Sequence, residues 1–436
     1  MNILLLGSGG REHALAWKIS QSPDCTRLFV SPGNAGTSLF NVAEHLVQNG
    51  YDQADFQRIA NFIQQQNIEL VVVGPEAPLV AGITDFLKNN ASTANVLVVG
   101  PTQNGAELEG SKDFAKQFMQ RHNIPTAASR TFTADTLNEG LEYLKEQTLP
   151  IVLKADGLAA GKGVIICTTY DEATETLRDM LQHQKFGKAS QKVVIEEFLD
   201  GIELSVFVLT DGKSYHLLPE AKDYKRIGEN DTGPNTGGMG AVSPVPFANE
   251  EFLHKVKKQV VEPTIQGLAE ENIDYRGFIF LGLMNVGGNP YVIEYNVRLG
   301  DPETQAIIPR LESDLVALLV ATAQQQLSDV RVQISLQAAA TVVMVSGGYP
   351  GRYEKGKAIS GLSNKSGSLI FQAGTKAVAG EVVTNGGRVL AVTSLHSQLK
   401  TALEQTYTQV EQLHWEEVYY RKDIGQDILR YSANGK

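Results

Sequence analysis

Short apolar runs alternate with helical spacing over the first hundred residues of the chain. Residues 3–6, 28–30, 70–73 and 96–99 are apolar runs of strand length, and residues 11–20, 56–65 and 83–88 place apolar side chains at helical intervals. That alternation predicts a parallel sheet wound on both faces. Each strand runs into turn residues: Gly7-Ser8-Gly9-Gly10, Ser31-Pro32-Gly33-Asn34, Gly74-Pro75-Glu76 and Gly100-Pro101-Thr102. Ligands of open α/β sheets bind beyond the carboxyl ends of the strands, so these four loops are expected to line one edge of a site.

The pattern then changes. Residues 112–121 read as a helix. Strands over 150–154, 164–167 and 192–197, with a helix over 172–181, outline a small α+β unit at about 125–195. Strands dominate from 200 to 300, at 203–210, 214–218, 277–286 and 291–298, with one helix over 252–270 between them. A helix over 303–326 closes this part. From about 331 the chain is rich in glycine turns, with strands at 338–345 and 390–394 and a helix at 399–412, and reads as a separate C-terminal unit. There is no internal repeat.

The chain has 436 residues, enough for roughly three domains of about 150 residues each. Hydrophobic residues at 42% and charged residues at 20% exclude a disordered or low-complexity chain. The formal net charge of −11 removes the global field that draws proteins to nucleic acid or anionic lipid, so phosphate binding must rest on local donors. Neither nucleic acid nor membrane is expected as a partner. Cys25 and Cys167 are distant and lie in no metal spacing, which fits a reducing cytoplasm. The apolar start breaks at Gly7 without a basic flank and reads as a first strand, and no apolar run approaches membrane-spanning length.

Several segments carry candidate chemistry. Gly7-Ser8-Gly9 opens a helix, but Glu12 stands where a dinucleotide fingerprint wants its third glycine, and no acid follows the second strand to hold a ribose. What remains is a helix N-terminus beside Arg11 and His13, which is either an anion site or a tight turn. Lys154 precedes Gly157, Gly161, Lys162 and Gly163 between two strands. Glycines there let backbone N–H groups approach phosphate, and the absence of Ser or Thr after the lysine excludes a P-loop. Glu196-Glu197-Phe198-Leu199, with Glu203 beyond it, reads either as an adenine-reading hinge or as an acidic turn. The scattered histidines 183, 216, 254 and 414 form no metal pattern.

The strand at 291–298 is the most informative. Side chains alternate faces along a strand, so Tyr291, Ile293, Tyr295 and Val297 form an apolar face, and Glu294, Asn296 and Arg298 share the other. A carboxylate and an amide oxygen two residues apart suit a hard cation, and an arginine next to them suits a transferring phosphoryl group. Gly300-Asp301-Pro302-Glu303 follows, with Asp301 as a helix cap and Pro302 as the first helical residue. The polar loop 231–240 is long enough to be functional, and Asp223-Tyr224-Lys225-Arg226 precedes it.

Together these strings resemble the glycinamide ribonucleotide synthetase family of the ATP-grasp superfamily. The resemblance runs nearly end to end, through Gly9-Gly10-Arg11-Glu12-His13-Ala14, Pro32-Gly33-Asn34-Ala35-Gly36-Thr37, Val73-Gly74-Pro75-Glu76, Glu109-Gly110-Ser111-Lys112 and the 154–164 loop. Residues 231–240 and 298–305 are its most diagnostic strings, and Val382 to Val389 extend it to the C-terminal unit. It implies an α/β fold: an N-terminal doubly wound parallel-sheet domain (1–105), a two-lobed ATP-grasp α+β domain (106–330, lid about 125–195) and a small C-terminal α/β domain (331–436). It also implies a cytoplasmic ligase of purine biosynthesis. ATP, glycine and 5-phosphoribosylamine would give glycinamide ribonucleotide, ADP and phosphate through glycyl phosphate.

By that resemblance, Lys112 and Lys154 hold nucleotide phosphates beneath the glycine flap. Glu196, Glu197, Phe198 and Leu199 cradle adenine and Glu203 the ribose. Glu294 and Asn296 bind Mg²⁺ or Mn²⁺, with Glu294 also facing ATP, and Arg298 stabilises the transferring group. The substrate set is Gly9, Gly10, Arg11, Glu12, His13, Asn34, Glu76, Asp223, Lys225, Asn235, Gly237, Gly238 and Met239, with Asp301 and Asp223 as candidates for orienting amines. The strand 277–285 lacks the second metal carboxylate that many ATP-grasp enzymes carry, which implies fewer protein ligands and more phosphate and water around the ion. A monomer is expected. The short chemical life of phosphoribosylamine suggests transient contact with the preceding amidotransferase, on chemical grounds alone. The rival readings are another ATP-grasp ligase, using bicarbonate or formate, and a non-catalytic or NAD-binding protein. Equilibrium binding separates the last of these: ATP is expected to bind, and NAD binding without ATP binding would defeat the reading.

Overall fold

A computed structural model describes residues 1–42, 46–159, 163–363 and 367–433. The first sheet runs in the order Asn41–Val42, Arg27–Pro32, Asn2–Gly7, Leu70–Val73, Leu97–Val99, with every pairing parallel. Ile3 and Leu5 enter one buried cluster while Leu4 and Leu6 enter another, so both faces of the central strand are covered. This is why these strands are continuously apolar instead of alternating.

The helix Gly10–Ile19 follows the first strand directly. Glu12 folds back so that Oε2 accepts the Gly9 N–H at 2.7 Å, and the residue is 1% exposed. A Cβ built on Gly7 would lie 2.3 Å from Glu12 Cγ, and one on Gly74 would lie 2.3 Å from Glu12 Oε1 and 2.6 Å from the Leu6 carbonyl. The acid that spoils a dinucleotide fingerprint therefore plugs the crevice between two strand ends, and the glycines make room for it.

The lid sheet runs Ser129–Thr133, Lys192–Glu197, Ile151–Ala155, Val164–Cys167, all antiparallel. Helices Leu137–Glu146 and Tyr170–Leu181 cover it through Phe132, Leu144, Leu153, Leu177 and Ile195. A second antiparallel sheet runs Tyr215–Leu217, Ile202–Thr210, Gly277–Val286, Asn289–Asn296.

Three expectations change in the structure. The helix expected over 252–270 is Glu250–Val256 and Glu262–Glu270, joined by a π turn over Lys257–Val261. Pro263 lacks an N–H and its ring crowds the preceding turn, which the wider turn accommodates. The helix expected over 303–326 is Glu303–Ile307, a tight turn Ile308–Arg310 containing Pro309, and Leu315–Gln324, restarted by Asp314 accepting the Val316 N–H at 2.8 Å. The alternation along 291–298 is interrupted by a bulge. Gly282 faces Glu294 but Leu283 faces Val292, leaving Ile293 unpaired. Val292, Tyr295 and Val297 therefore form the core face, and Tyr291 and Ile293 do not.

The C-terminal segment does not stand apart. Its sheet runs Lys222–Asp223, Gly240–Ser243, Ala338–Val345, Arg388–His396, Leu369–Gln372, so two strands come from the central part of the chain. The polar stretch between those two strands contains the hairpin Arg226–Gly228 and Thr232–Asn235.

Gly74→Ala forces a methyl group into Glu12 and the Leu6 carbonyl. It is expected to lower stability by about 1–3 kcal/mol, the usual cost of overpacking a close contact. Urea unfolding checks this, and a midpoint equal to that of the parent chain would show the crevice to be slack.

Candidate active site

A cavity of about 400 Å³ lies where the three parts of the chain meet. The first turns of helices Gly10–Ile19 and Glu76–Val80, at strand ends of the first sheet, supply Arg11 and Glu76, and helices Gln103–Gly110 and Lys112–Arg121 supply Glu109, Lys112 and Lys116. The flap supplies Leu158, Ala159 and Gly163, and the far wall carries Asp223, Lys225, Glu294, Asn296 and Arg298.

Arg298 is the best-connected group here. Its Nε lies 3.2 Å from Glu76 Oε2, and its NH2 donates to Glu109 Oε1 at 2.9 Å and to Asn296 Oδ1 at 3.0 Å. Burial opposes its charge, but Glu109 and Glu76 overcome that and raise its pKa further. Burial pushes the Glu109 carboxyl up to about 7, with Arg298 pulling the other way. Glu109 Oε2 also accepts the Val297 N–H at 2.8 Å, which ties the helix to the strand carrying Arg298.

The lysines form a second group. Lys154 Nζ sits 2.9 Å from Glu196 Oε2 and donates to the Ile293 carbonyl at 3.1 Å, the residue freed by the bulge. Lys116 Nζ lies 3.3 Å from Glu196 Oε1 and donates to Thr126 and Ala127, and burial lowers its pKa to about 8. Lys112 makes no ion pair among the described residues and reaches only the Gly157 carbonyl at 3.4 Å. Burial lowers its pKa, with Glu294 opposing. Its helix is pinned to the flap sequence, because Asp156 accepts from Ser111 Oγ at 3.0 Å and from the Asp113 N–H at 2.7 Å.

Glu294 has no hydrogen-bond partner for its carboxylate among the described residues. Burial alone would raise its pKa, yet Lys225, Lys154 and Lys112 hold it below the ordinary carboxylate range. Asn296 Nδ2 is buried without a partner among the described residues. An ionised carboxylate facing a cavity, beside an amide whose oxygen meets only Arg298, is a donor set that a hard, phosphate-bound cation would complete. No group of three or more His, Cys, Asp or Glu residues among the described ones could hold a metal unaided.

A second cleft of about 310 Å³ adjoins the first through Asp301 and Arg388, and is lined also by Gly9, Asn34, Tyr349, Thr375 and Asn385. Asp301 does not cap its helix. The cap position is Pro302, and Asp301 instead accepts from Gln305 Nε2 at 2.8 Å and from the Arg11 N–H at 3.4 Å, with Arg388 NH1 3.4 Å away. Burial works against its ionisation, but Arg388 and Arg11 hold its pKa down.

Most of the other expected residues fall outside both clefts. Glu12 is the plug described above. Gly10 packs against Gln305, where a Cβ would come within 2.4 Å of Nε2. His13 Nδ1 accepts the Gln372 N–H at 2.8 Å, and Met239 is buried in the core. Asn235 is exposed on the hairpin, and Gly238, at φ +114°, lies against Pro302. Gly237 lines the main cavity and its carbonyl accepts from Arg388. Glu203 is ion-paired to Lys225, which also lies 3.8 Å from Asp223. Glu197 accepts the Ala128 N–H at 2.8 Å, Phe198 is exposed, Leu199 is half-buried, and Gly157 packs against Ala189. Gly161 and Lys162 lie outside the described residues.

Sequence reasoning did not select Lys116, Glu109, Glu303 or Arg388. Lys116 had a signal, since it lies four residues beyond Lys112 and shares its helix face. Arg388 opens an apolar strand, and nothing local distinguishes it from a strand-end charge.

A parallel-sheet domain, a lysine-lined cleft under a glycine flap and a Glu-x-Asn-x-Arg strand define the ATP-grasp class of ligases. Residues 1–109, 110–304 and 339–427 match the N domain, the ATP-grasp (A) domain and the C domain of phosphoribosylglycinamide synthetase. The phosphoribosylamine–glycine ligase of Vibrio cholerae is 48% identical over 429 residues, 98% of each chain. The crystal structure of phosphoribosylamine–glycine ligase from Thermotoga maritima is 35% identical, with a TM-score of 0.85 over 97% of this chain and 100% of that one. The biotin carboxylase domain of Hydrogenobacter thermophilus 2-oxoglutarate carboxylase shares the fold alone, at 16% identity and a TM-score of 0.71 over 96% of this chain and 91% of that one. The chain belongs to the phosphoribosylglycinamide synthetase family.

His13 offers a pH test of the contact between helix Gly10–Ile19 and strand Leu369–Gln372. Burial lowers its pKa from 6.5 to about 4, with the bond from the Gln372 N–H opposing. The unfolded chain therefore binds the extra proton first, so stability conferred by neutral His13 is complete above pH 6.5 and is lost as pH falls toward 4. At about 1.4 kcal/mol per pKa unit, the loss reaches at most about 3.5 kcal/mol. His13→Gln keeps an acceptor and removes the titration, so its stability is expected to fall less between pH 6.5 and 4. Parallel stability profiles for the two proteins would contradict the assignment.

Proposed function

We propose that this chain couples ATP hydrolysis to the joining of glycine and 5-phosphoribosylamine, yielding glycinamide ribonucleotide, ADP and phosphate in the second step of purine biosynthesis. The observation that carries the reading is the convergence of Glu294, Asn296 and Arg298 with Lys112 in one cavity, with Lys154 bonded to the carbonyl of Ile293 in its wall, in a chain of this family. A carboxylate oxygen of glycine attacks the γ-phosphorus, and ADP leaves as the new P–O bond forms. The amine nitrogen then attacks the carbonyl carbon of glycyl phosphate, inorganic phosphate departs, and the amine loses a proton. Glycine carboxylate is a poor electrophile, so the gain comes from positioning and charge neutralisation more than from a strong base.

Each group has a part in that reading. Lys112, which has no ion-pair partner among the described residues, and Lys154 hold nucleotide phosphates beneath the flap. Glu294 and Asn296 would hold a Mg²⁺ or Mn²⁺ ion, which supplies neutralisation of the polyphosphate charge. Arg298, restrained by two carboxylates, neutralises the oxygens of the transferring group. The adjoining cleft at Gly9, Asn34, Asp301 and Arg388 accommodates the sugar phosphate and sets its amine toward the main cavity. Adenine and ribose are assigned to the 196–203 segment. Among the described residues no helix is long and apolar enough to cross a membrane, which accords with a cytoplasmic enzyme.

The direct test is ADP formation, which is expected only when glycine and phosphoribosylamine are both present. Bicarbonate or formate replacing glycine would move the chain to another ATP-grasp chemistry. Arg298→Ala is expected to cut kcat by about 10²- to 10³-fold while the KM for ATP changes little, as loss of a transition-state contact does. Steady-state kinetics checks this, and an unchanged kcat would remove Arg298 from the mechanism.

A further inference from the structure

Lys225 reaches the cavity from a segment that the C-terminal domain holds on both sides. Tyr224 precedes it, and its hydroxyl donates to Asp427 Oδ1 at 2.6 Å and accepts the Gly425 N–H at 3.0 Å. Arg226 follows it, and the Arg226 carbonyl accepts from Arg421 NH1 at 3.1 Å. The same guanidinium lies 5.3 Å from the centre of the Tyr224 ring. Arg421 is buried, and its fork is bidentate on Asp423, with Nε to Oδ1 and NH2 to Oδ2 both at 2.8 Å.

The pair grips the hairpin tip as well. Asn230 and Asp231 are consecutive non-glycine residues in the left-handed region, at φ 55° and 53°. Such a turn persists only where surrounding contacts over-determine it. Here Asp423 Oδ2 accepts the Asn230 N–H at 2.8 Å, and Asp231 Oδ1 accepts from Arg421 NH1 at 2.7 Å. Tyr419 adds a bond from its hydroxyl to the Ile227 carbonyl at 3.0 Å. The hairpin returns at Thr236, whose N–H and hydroxyl both donate to the Lys225 carbonyl at 2.8 Å, and Thr236 and Gly237 line the cavity beside Lys225.

We infer that Arg421 is a positioning residue for the reaction: with Asp423 it imposes the 226–235 hairpin and so sets Lys225 against Glu203 and Asp223 at the cavity wall. Arg421 lines neither cleft and acts through the Arg226 carbonyl on one side of Lys225 and the Tyr224 ring on the other. A rigid, permanently charged fork suits this task, because it satisfies a carboxylate face-on while its remaining N–H groups reach two further acceptors. The C-terminal domain is thereby part of the catalytic assembly as well as a wall of the second cleft. The inference rests on the ligase reading, since turnover must depend on where Lys225 sits.

The test is a double-mutant cycle in the full chain. Arg421→Met is expected to lower kcat by about tenfold to a hundredfold, the scale of a small misplacement of reacting groups, with the KM for ATP little changed. Lys225→Met is expected to lower kcat further, and Arg421→Met/Lys225→Met to be no worse than Lys225→Met alone, because both act through one group. A purely structural role for Arg421 would instead give multiplied penalties, and that result would overturn the inference. Asp231→Ala serves should Arg421→Met fail to fold, since Asp231 is 58% exposed and its removal takes away one contact at the tip. It is expected to lower kcat several-fold and to lose that effect in the Lys225→Met background, and parental turnover in Asp231→Ala would count equally against the proposal. The parent chain in the same assay checks the underlying reading: absence of ADP formation that depends on glycine and phosphoribosylamine overturns both, whereas multiplied penalties overturn the positioning role alone.

Discussion

The Arg298 guanidinium, held between Glu76 and Glu109, is the interaction on which the site depends. A charge taken out of water is tolerable only when opposite charge and hydrogen bonds surround it, and removing one partner leaves the other uncompensated. Glu76 opens the short helix Glu76–Val80 that follows a strand of the first sheet, Glu109 comes from the helix after that sheet, and Arg298 from beyond the last strand of the second sheet. The three elements cannot drift apart without stranding a buried charge. The orientation of Arg298 toward the cavity is thus a property of the domain junction more than of its own strand.

The same logic extends across the cavity. Glu196 bridges Lys116 and Lys154, so two ammonium groups share a confined wall without an uncompensated repulsion. Lys112 and Glu294 are the exceptions: neither has an ion-pair partner among the described residues, and each faces the cavity. A polyphosphate with its cation supplies what each lacks. The chain is acidic overall, with a formal net charge of −11, and carboxylates line the cavity too, but Lys112 stands there without an ion-pair partner among the described residues. Attraction of an anionic substrate here is a local effect of low dielectric and short distance, which a net charge does not report.

The C-terminal domain contributes through hydrogen bonds to backbone groups. Arg388 reaches the carbonyls of Gly237 and Asp301, Tyr349 accepts the Gly237 N–H at 3.0 Å, and Arg421 takes the Arg226 carbonyl. Loops that cross between sheets need partners for their polar groups, and here a different domain provides them. The strands at 222–223 and 240–243 that join its sheet make this support possible.

Local pattern determined most of the elements by itself. Apolar runs closed by glycine and proline turns located the parallel strands, and the flap and the Glu-x-Asn-x-Arg strand were legible because their chemistry is compressed into a few neighbouring residues. Tertiary structure decided the rest. It placed Glu12 against Gly74 and His13 against Gln372, contacts that join residues far apart in sequence. It inserted a bulge at Ile293, which moved Val292 into the core and freed a carbonyl for Lys154, a register effect that alternation along one strand cannot show. It also brought Arg388 beside Asp301 across 87 residues, and Arg421 beside Arg226 across 195. A sequence carries the periods and propensities of short segments, whereas burial, charge compensation and register are set by which segments meet, and that is settled only when the whole chain packs.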